Sequence, residues 1–188
     1  MNRRASKCKM INPTFFVFCE GETEEAYIKY LRSTYRVPIE IDPKVAGNGI
    51  SSRYISDYKK HKTFHPKDKT FLVYDWDVSA MQQRLLGIKN AQLLYSNPCF
   101  ELWYLLHFQN QKANLTSEEC VSKLKNYISS YKKGVLDEKL KSKLIENKGN
   151  SISRAKALTE FYNPSTNVYK LVEELEAVKN QGNRSQTS

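Results

Sequence analysis

Two continuous apolar segments, each followed at once by acidic residues, most constrain what this chain can fold into. The first segment is Thr14–Cys19, and it ends at Glu20-Gly21. The second is Thr70–Tyr74, and it ends at Asp75-Trp76-Asp77. Apolar runs without polar alternation are typical of strands buried on both faces, as in a parallel sheet. A helical spacing of apolar residues begins directly after Gly21, which predicts the strand–helix order of a βαβ unit.

The rest of the chain predicts one α/β core followed by helices. Two further strands are predicted at residues 38–42 and 91–95, with helices at 50–62, 81–89 and 100–108. Beyond residue 109 the pattern changes to helices joined by polar loops, at 116–131, 135–145, 151–162 and after 166. We therefore predict a mostly parallel sheet flanked by helices, with additional C-terminal helices. The expected boundaries are a basic leader at 1–12, one domain at 13–180 (core to about 110, helical addition 111–180) and a polar tail at 181–188.

Composition narrows the class of partner. The chain has 30 Lys and Arg residues against 20 Asp and Glu, a formal net charge of +10, which favours a nucleic-acid partner through counterion release. The alternative is a basic surface that only keeps the protein in solution. No apolar run approaches the roughly 18 residues that span a bilayer, so we expect a cytoplasmic protein with no membrane partner. The four cysteines form no Cys-x-x-Cys pair, so a zinc site is not expected.

The acidic residues after the two apolar segments predict a metal site. Ligands of open α/β sheets collect at the carboxyl ends of the strands, where Glu20, Asp75 and Asp77 would converge if the two strands are neighbours. Magnesium prefers oxygen ligands and keeps several waters, so two or three carboxylates suffice to bind Mg²⁺ or Mn²⁺. We predict that Asp75 and Asp77 hold the ion, while Glu20 holds a second ion or acts as general base. The alternative is that each acid is structural or solvated.

Four segments resemble the RloB-like family. They occur in the family's order, extend from residue 14 to about 178, and include one long signature containing Trp, Cys and His. The segments are Phe18-Cys19-Glu20-Gly21-Glu22-Thr23-Glu24, Asp75-Trp76-Asp77, Ser96-Asn97-Pro98-Cys99-Phe100-Glu101-Leu102-Trp103 with Leu105-Leu106-His107-Phe108, and Asn163-Pro164-Ser165-Thr166 with Val168.

The resemblance implies a Toprim-like fold and a magnesium-dependent nuclease. Toprim domains share a glutamate after the first strand and an Asp-x-Asp after a later one, which carries over to Glu20, Asp75 and Asp77. The related OLD-type nucleases add an acid one helical turn later, which matches Glu24. RloB-like proteins are associated with bacterial restriction and phage-defence loci, so a partner protein from the same locus is expected beside DNA or RNA.

Two other functions are open at this stage. The chain could be a non-catalytic module of such a locus that binds nucleic acid or a partner. Nucleotidyl transfer of the primase type is the other, but the sequence shows no Gly-rich phosphate loop.

Six further polar residues are candidates for contacts with the metal ligands or with substrate. Glu101 could be another ligand and His107 a proton carrier, or both could satisfy hydrogen bonds in the core. Lys148 and Arg154 are the candidates for stabilising a transition state. The six are Ser96, Asn97, Glu101, His107, Lys148 and Arg154.

Overall fold

The structure, a computed structural model, describes the backbone of residues 12–186 and the side chains of residues 12–181. Its strands are β1 (Thr14–Cys19), β2 (Glu40–Val45), β3 (Lys69–Asp75), β4 (Gln92–Asn97) and β5 (Ser165–Thr166). Its α-helices are α1 (Glu22–Tyr35), α2 (Ser52–Lys59), α3 (Ser79–Leu86), α4 (Glu101–Leu105), α5 (Ser117–Tyr127), α6 (Glu138–Glu146), α7 (Lys148–Lys156) and α8 (Tyr169–Gln186). A short 3-10 helix covers Gly47–Gly49.

The strands form one sheet in the order β2-β1-β3-β4-β5. The first four are parallel, and only β5 runs antiparallel, beside β4. The mostly parallel sheet flanked by helices, with additional C-terminal helices, is therefore confirmed, and it matches the Toprim-like α/β architecture that the resemblance implies. We call the edge formed by the carboxyl ends of β1 to β4 the carboxyl edge.

The apolar runs form strands because both faces of the sheet are covered. Alternate residues of β1 enter different cores: Phe15 and Val17 pack on one face, and Phe16 and Phe18 on the other. All six residues of β1 are buried. The C-terminal helices enlarge the first core, where Trp103 of α4 is fully buried. Every helix within residues 12–186 is too short or too polar to span a membrane.

Several element bounds differ from the sequence-based prediction. The strand predicted at 38–42 is shifted to Glu40–Val45 and contains Pro43, which an edge strand tolerates because it lacks a partner on one side. The helix predicted over 151–162 is α7, which ends at Lys156. The predicted leader lies outside the described residues except for Asn12. Helix α8 continues into the predicted tail as far as Gln186, and residues 187 and 188 lie outside the described part.

Candidate metal and phosphodiester site at the carboxyl edge

Glu20 and Asp75 meet at the carboxyl edge because β1 and β3 are adjacent and parallel. Cys19 lies opposite Val73 in the register of the two strands. The backbone N–H of Glu20 donates to the carbonyl of Val73 at 3.0 Å. In return, Glu20 Oε2 accepts a hydrogen bond from the backbone N–H of Asp75 at 2.9 Å. The two residues are thus fixed to each other through the sheet, which leaves Oε1 of Glu20 outside this bond.

One oxygen of the Asp75 carboxyl group is buried without a partner. This atom, Oδ1, accepts no hydrogen bond. Burial, followed by the nearby negative charge of Glu24, raises the pKa of Asp75 to about 10. A buried carboxylate without a partner is unfavourable unless a cation or a proton neutralises it. Asp75 is therefore the group at the carboxyl edge that most requires a positive charge.

Glu24 and Asp77 add negative charge around Asp75. Glu24 lies in the first turn of α1, is buried, and accepts a hydrogen bond from the N–H of Gly21 at 3.0 Å. Burial raises the pKa of Glu24 to about 7, although that hydrogen bond opposes the shift. Burial also raises the pKa of Glu20, to which Asp77 contributes by repulsion. Asp77 itself is exposed, so it can meet solvent or a ligand directly.

Lys133 faces this acidic group, and the sequence analysis did not identify it. Glu101 is only 2% exposed and accepts a hydrogen bond from Tyr131 Oη at 2.9 Å. Lys133 Nζ lies 3.9 Å from the same Glu101 oxygen, while 68% of its side chain is exposed. The negative charge of Glu101 raises the pKa of Lys133, and Asp75 adds to the shift. The solvent-accessible ammonium group of Lys133 therefore lies beside the buried carboxyl groups.

The backbone around Gly134 determines where Lys133 lies. Gly134 has a φ of +74°, which favours glycine, and its N–H donates to Thr23 Oγ1 at 3.1 Å. A Cβ atom at this position would lie 3.2 Å from Cβ of Glu22. The turn is thus closely packed on the start of α1. The only sequence signal was a tyrosine followed by two lysines at 131–133, and such aromatic and basic neighbours are also common on helix surfaces.

Two of the remaining predicted residues, Ser96 and Asn97, form hydrogen bonds with the segment that contains β5. Ser96 Oγ lies 2.8 Å from Thr166 Oγ1, and the Asn97 side chain donates to the carbonyl of Phe161 at 3.0 Å. Both contacts join β4 to the segment that contains β5. Ser96 and Asn97 therefore lie at the carboxyl edge, and their side chains bind other residues of the chain there.

His107, Lys148 and Arg154 contact groups other than the acidic residues. His107 Nδ1 lies 2.9 Å from the carbonyl of Trp103, and Nε2 lies 3.0 Å from Ser151 Oγ. These bonds favour the core interpretation of His107, whose pKa burial lowers to about 4. Lys148 forms an ion pair with Glu176 of α8. Arg154 donates to the carbonyl of Leu106 at 2.7 Å.

The donor set fits a hard divalent cation in type, though it does not form a closed cage. Within residues 12–186, no group of three or more His, Cys, Asp or Glu side chains is arranged to hold a metal ion. Mg²⁺ needs only one or two protein carboxylates, because it keeps several waters. The partnerless Oδ1 of Asp75 and the oxygens of Glu20 and Asp77 supply ligands of this kind. The residues at the carboxyl edge therefore fit a partly hydrated Mg²⁺ or Mn²⁺.

Comparison with known proteins defines the family. The profile of the family described as RloB-like protein matches residues 15–175. The chain belongs to the RloB-like family. No curated protein sequence matches it significantly. Among solved structures, it is similar to the C-terminal region of the Burkholderia pseudomallei OLD protein, with a TM-score of 0.39 and 13% identity over 87% of this chain and 98% of that chain.

In this RloB-like chain, the four signature segments come together around the carboxyl edge. Asp75 lies opposite Ser96 in the β3–β4 register, and Asn97 lies opposite Ser165. Glu20, from the first segment, binds the backbone of Asp75. Residues that are far apart in the sequence therefore line one continuous edge.

Proposed function

We propose that this chain is a nuclease that depends on Mg²⁺ or Mn²⁺ and hydrolyses phosphodiester bonds in DNA or RNA. The observation that carries the proposal is the buried Oδ1 of Asp75, which has no partner and lies among other acidic groups. A carboxyl group in this state is suited to a cation rather than to the core of the protein. Its position at the end of a central parallel strand is where α/β proteins place their ligands.

The residues that would hold the cation are Asp75 and Asp77, while Glu20 from the neighbouring strand would hold a second ion or act as general base. When bound, a divalent cation stabilises negative charge on a phosphodiester and lowers the pKa of a water molecule. Glu24 would support this site from the first turn of α1, since it lies close enough to raise the pKa of Asp75. The same acids would repel a phosphate in the absence of the cation, so metal and substrate are expected to bind together.

The protein's own groups have separate roles in this proposal. Oε2 of Glu20 is engaged by the N–H of Asp75, so Oε1 is available to accept a proton from an attacking water. The exposed ammonium group of Lys133 would contact a non-bridging phosphate oxygen and stabilise charge in the transition state. Glu101 positions Lys133 and is itself held by Tyr131. In this proposal Lys133 takes the role for which Lys148 and Arg154 were the candidates from the sequence, since those two side chains bind Glu176 and the carbonyl of Leu106.

The family, the cysteines and the net charge support a biological role and a cellular location for this nuclease. Membership of the RloB-like family supports a role in bacterial phage defence, as an effector or as an accessory subunit that acts with a protein from the same locus. A cytoplasmic location agrees with the buried free thiols of Cys19, Cys99 and Cys120, which a reducing compartment preserves. The formal net charge of +10 supports a polyanionic substrate.

A cleavage assay tests the proposal. The purified protein is incubated with labelled single- and double-stranded DNA, RNA and a tRNA pool, in Mg²⁺, Mn²⁺ or EDTA. Asp75→Asn removes the charge at the site, and Asp57→Asn is the matched control, because Asp57 is an exposed residue of α2. We expect metal-dependent cleavage that Asp75→Asn abolishes and Asp57→Asn retains. Absence of cleavage in every condition would contradict the proposal and favour a non-catalytic module that binds nucleic acid or a partner.

A further inference from the structure

Three aromatic rings form a layer at the carboxyl edge, on the side of the sheet that faces α2 and α3. Phe161 stacks on Tyr95 of β4 with a centroid distance of 4.5 Å and an interplanar angle of 17°. It also contacts Trp76, at 4.9 Å between ring centroids. Trp76 lies between Asp75 and Asp77 in the sequence, so this layer borders the proposed metal site.

The turn that carries Phe161 is strained and firmly held. Phe161 has a φ of +66°, a conformation that is unusual for a bulky residue and unfavourable without support. Its N–H donates to Tyr95 Oη at 2.9 Å, and its carbonyl accepts from the Asn97 side chain at 3.0 Å. The amide of Asn163 both donates to and accepts from the backbone of Leu115. The turn is thus fixed to β4 on one side and to the start of the helical addition on the other.

This fixed turn presents aromatic surface to solvent. Phe161 is 43% exposed, and the next residue, Tyr162, is 72% exposed. An exposed aromatic ring on a flexible loop would lose conformational freedom on binding, whereas one on a rigid turn loses little. The held backbone and the stacking on Tyr95 therefore orient the Phe161 ring in advance, and the exposed ring of Tyr162 is the next residue along the same turn.

We propose that Phe161 and Tyr162 form a stacking site for an unpaired base of a single-stranded nucleic acid. The inference rests on the proposed function, since it names the substrate class of the same site. Stacking on aromatic side chains is how proteins bind unpaired bases, and it tolerates any base because each has a flat π-face. Charge favours a polyanion over a second copy of the chain, because two copies of formal charge +10 repel each other. Lys133 and the cation site would receive the backbone, while Phe161 and Tyr162 hold a base beside it.

Binding measured in Ca²⁺, with the length of the strand checked on a gel, tests the stacking site separately from cleavage. Ca²⁺ takes oxygen ligands as Mg²⁺ does, so it offsets the charge of the acidic residues. Fluorescence anisotropy then compares a labelled single strand, the same strand with abasic positions, and a duplex. We expect Tyr162→Ala to weaken binding of the single strand about tenfold and to leave duplex binding unchanged. Tyr162→Phe keeps the ring and is expected to bind like the wild type. Phe64→Ala is the matched control, because Phe64 is 78% exposed and lies in the segment before β3, at the opposite edge of the sheet.

The abasic strand provides a second measurement on the unaltered protein. If a base stacks on the turn, abasic strands bind more weakly than intact ones, and Tyr162→Ala weakens them no further. Equal binding of intact and abasic strands by the wild type would overturn the proposal. So would self-association, detected by light scattering, that Tyr162→Ala abolishes.

The outcomes separate this inference from the nuclease proposal. Cleavage that depends on Asp75, combined with binding unaffected by Tyr162→Ala, would contradict the stacking site and support the nuclease proposal. Single-strand binding that depends on Tyr162, without cleavage under any metal condition, would contradict the nuclease proposal and support the stacking site. Failure of the wild type to bind any single strand would overturn the stacking site directly.

Discussion

Oε2 of Glu20 accepts a hydrogen bond from the backbone N–H of Asp75 at 2.9 Å, and this bond joins the ends of two neighbouring parallel strands. Glu20 therefore has a structural role in addition to its proposed chemical one. Substitutions that differ in hydrogen-bonding capacity can separate the two roles.

We expect Glu20→Gln to fold as well as the wild type and Glu20→Ala to lose stability. Glutamine retains an oxygen that can accept from the N–H of Asp75, and it removes a charge whose burial is unfavourable. Alanine leaves that N–H without its partner, which lowers the free energy of unfolding by about 1–2 kcal/mol. Urea unfolding in EDTA measures both values. Both variants should lose cleavage, and equal stability of the two would show that the bond contributes nothing.

Magnesium should stabilise the wild-type protein. A ligand that binds only the folded state adds about 2.7 kcal/mol at a hundredfold excess over its Kd, which raises the Tm. Asp75→Asn should abolish this increase, because it removes the charge at the centre of the acidic group. Asp57→Asn should show the same increase as the wild type. Thermal unfolding with Mg²⁺ and with EDTA measures the effect, and an equal rise in all three proteins would place the bound ion elsewhere.

Lys133→Met is expected to reduce cleavage without affecting folding. Loss of a cation that stabilises a transition state lowers the single-turnover rate by about 10²–10³-fold. The free energy of unfolding should change by less than about 0.5 kcal/mol, because the side chain is largely exposed. Lys132→Met is the matched control, since Lys132 is the adjacent exposed lysine. Equal rates for the two variants would exclude this role for Lys133.

Gly134→Ala and Gly149→Ala should change stability in opposite directions. An alanine at position 134 must adopt a positive φ and approach Glu22, which costs about 1–2 kcal/mol or more. Gly149 is exposed in the first turn of α7, where a Cβ atom meets no neighbour within 4 Å, so alanine should add up to about 1 kcal/mol. Chemical denaturation measures both. Cleavage should fall only for Gly134→Ala, because only that turn carries Lys133.

His107 should make the protein less stable below neutral pH. Its folded-state pKa of about 4 is lower than its ordinary value of 6.5, so the neutral ring is favoured in the fold. The stabilisation is fully present above pH 6.5 and is lost as the pH falls toward 4, by about 3 kcal/mol. Protonation of Glu24, whose pKa is raised to about 7, acts in the opposite direction over the same range and is common to both proteins. Urea unfolding should therefore show that the difference in free energy of unfolding between the wild type and His107→Gln falls as the pH falls from 6.5 to 4. The difference between the wild type and His61→Gln, a change at an exposed histidine, should not vary in this way.

The sequence determined the parts of the protein that depend on local pattern. The apolar runs at 14–19 and 70–74 predicted buried parallel strands, because only a sheet covered on both faces accommodates them. The acids after these runs were predicted to share one edge, and the structure places Glu20 beside Asp75 there. The RloB-like segments identified the family, since their order and their rare residues do not depend on tertiary structure.

Only the tertiary structure decided which distant residues complete that edge. Lys133 reaches it because Gly134 binds Thr23, a contact across 111 positions that no local pattern encodes. The predicted helix at 151–162 ends early because Tyr95 and Asn97 hold the Phe161 turn. Residue spacing reports the neighbours along one helix or strand, whereas these contacts depend on how separate elements pack. The sequence thus determined the strands and the acidic residues that follow them. Packing decided which lysine and which aromatic rings lie beside those residues.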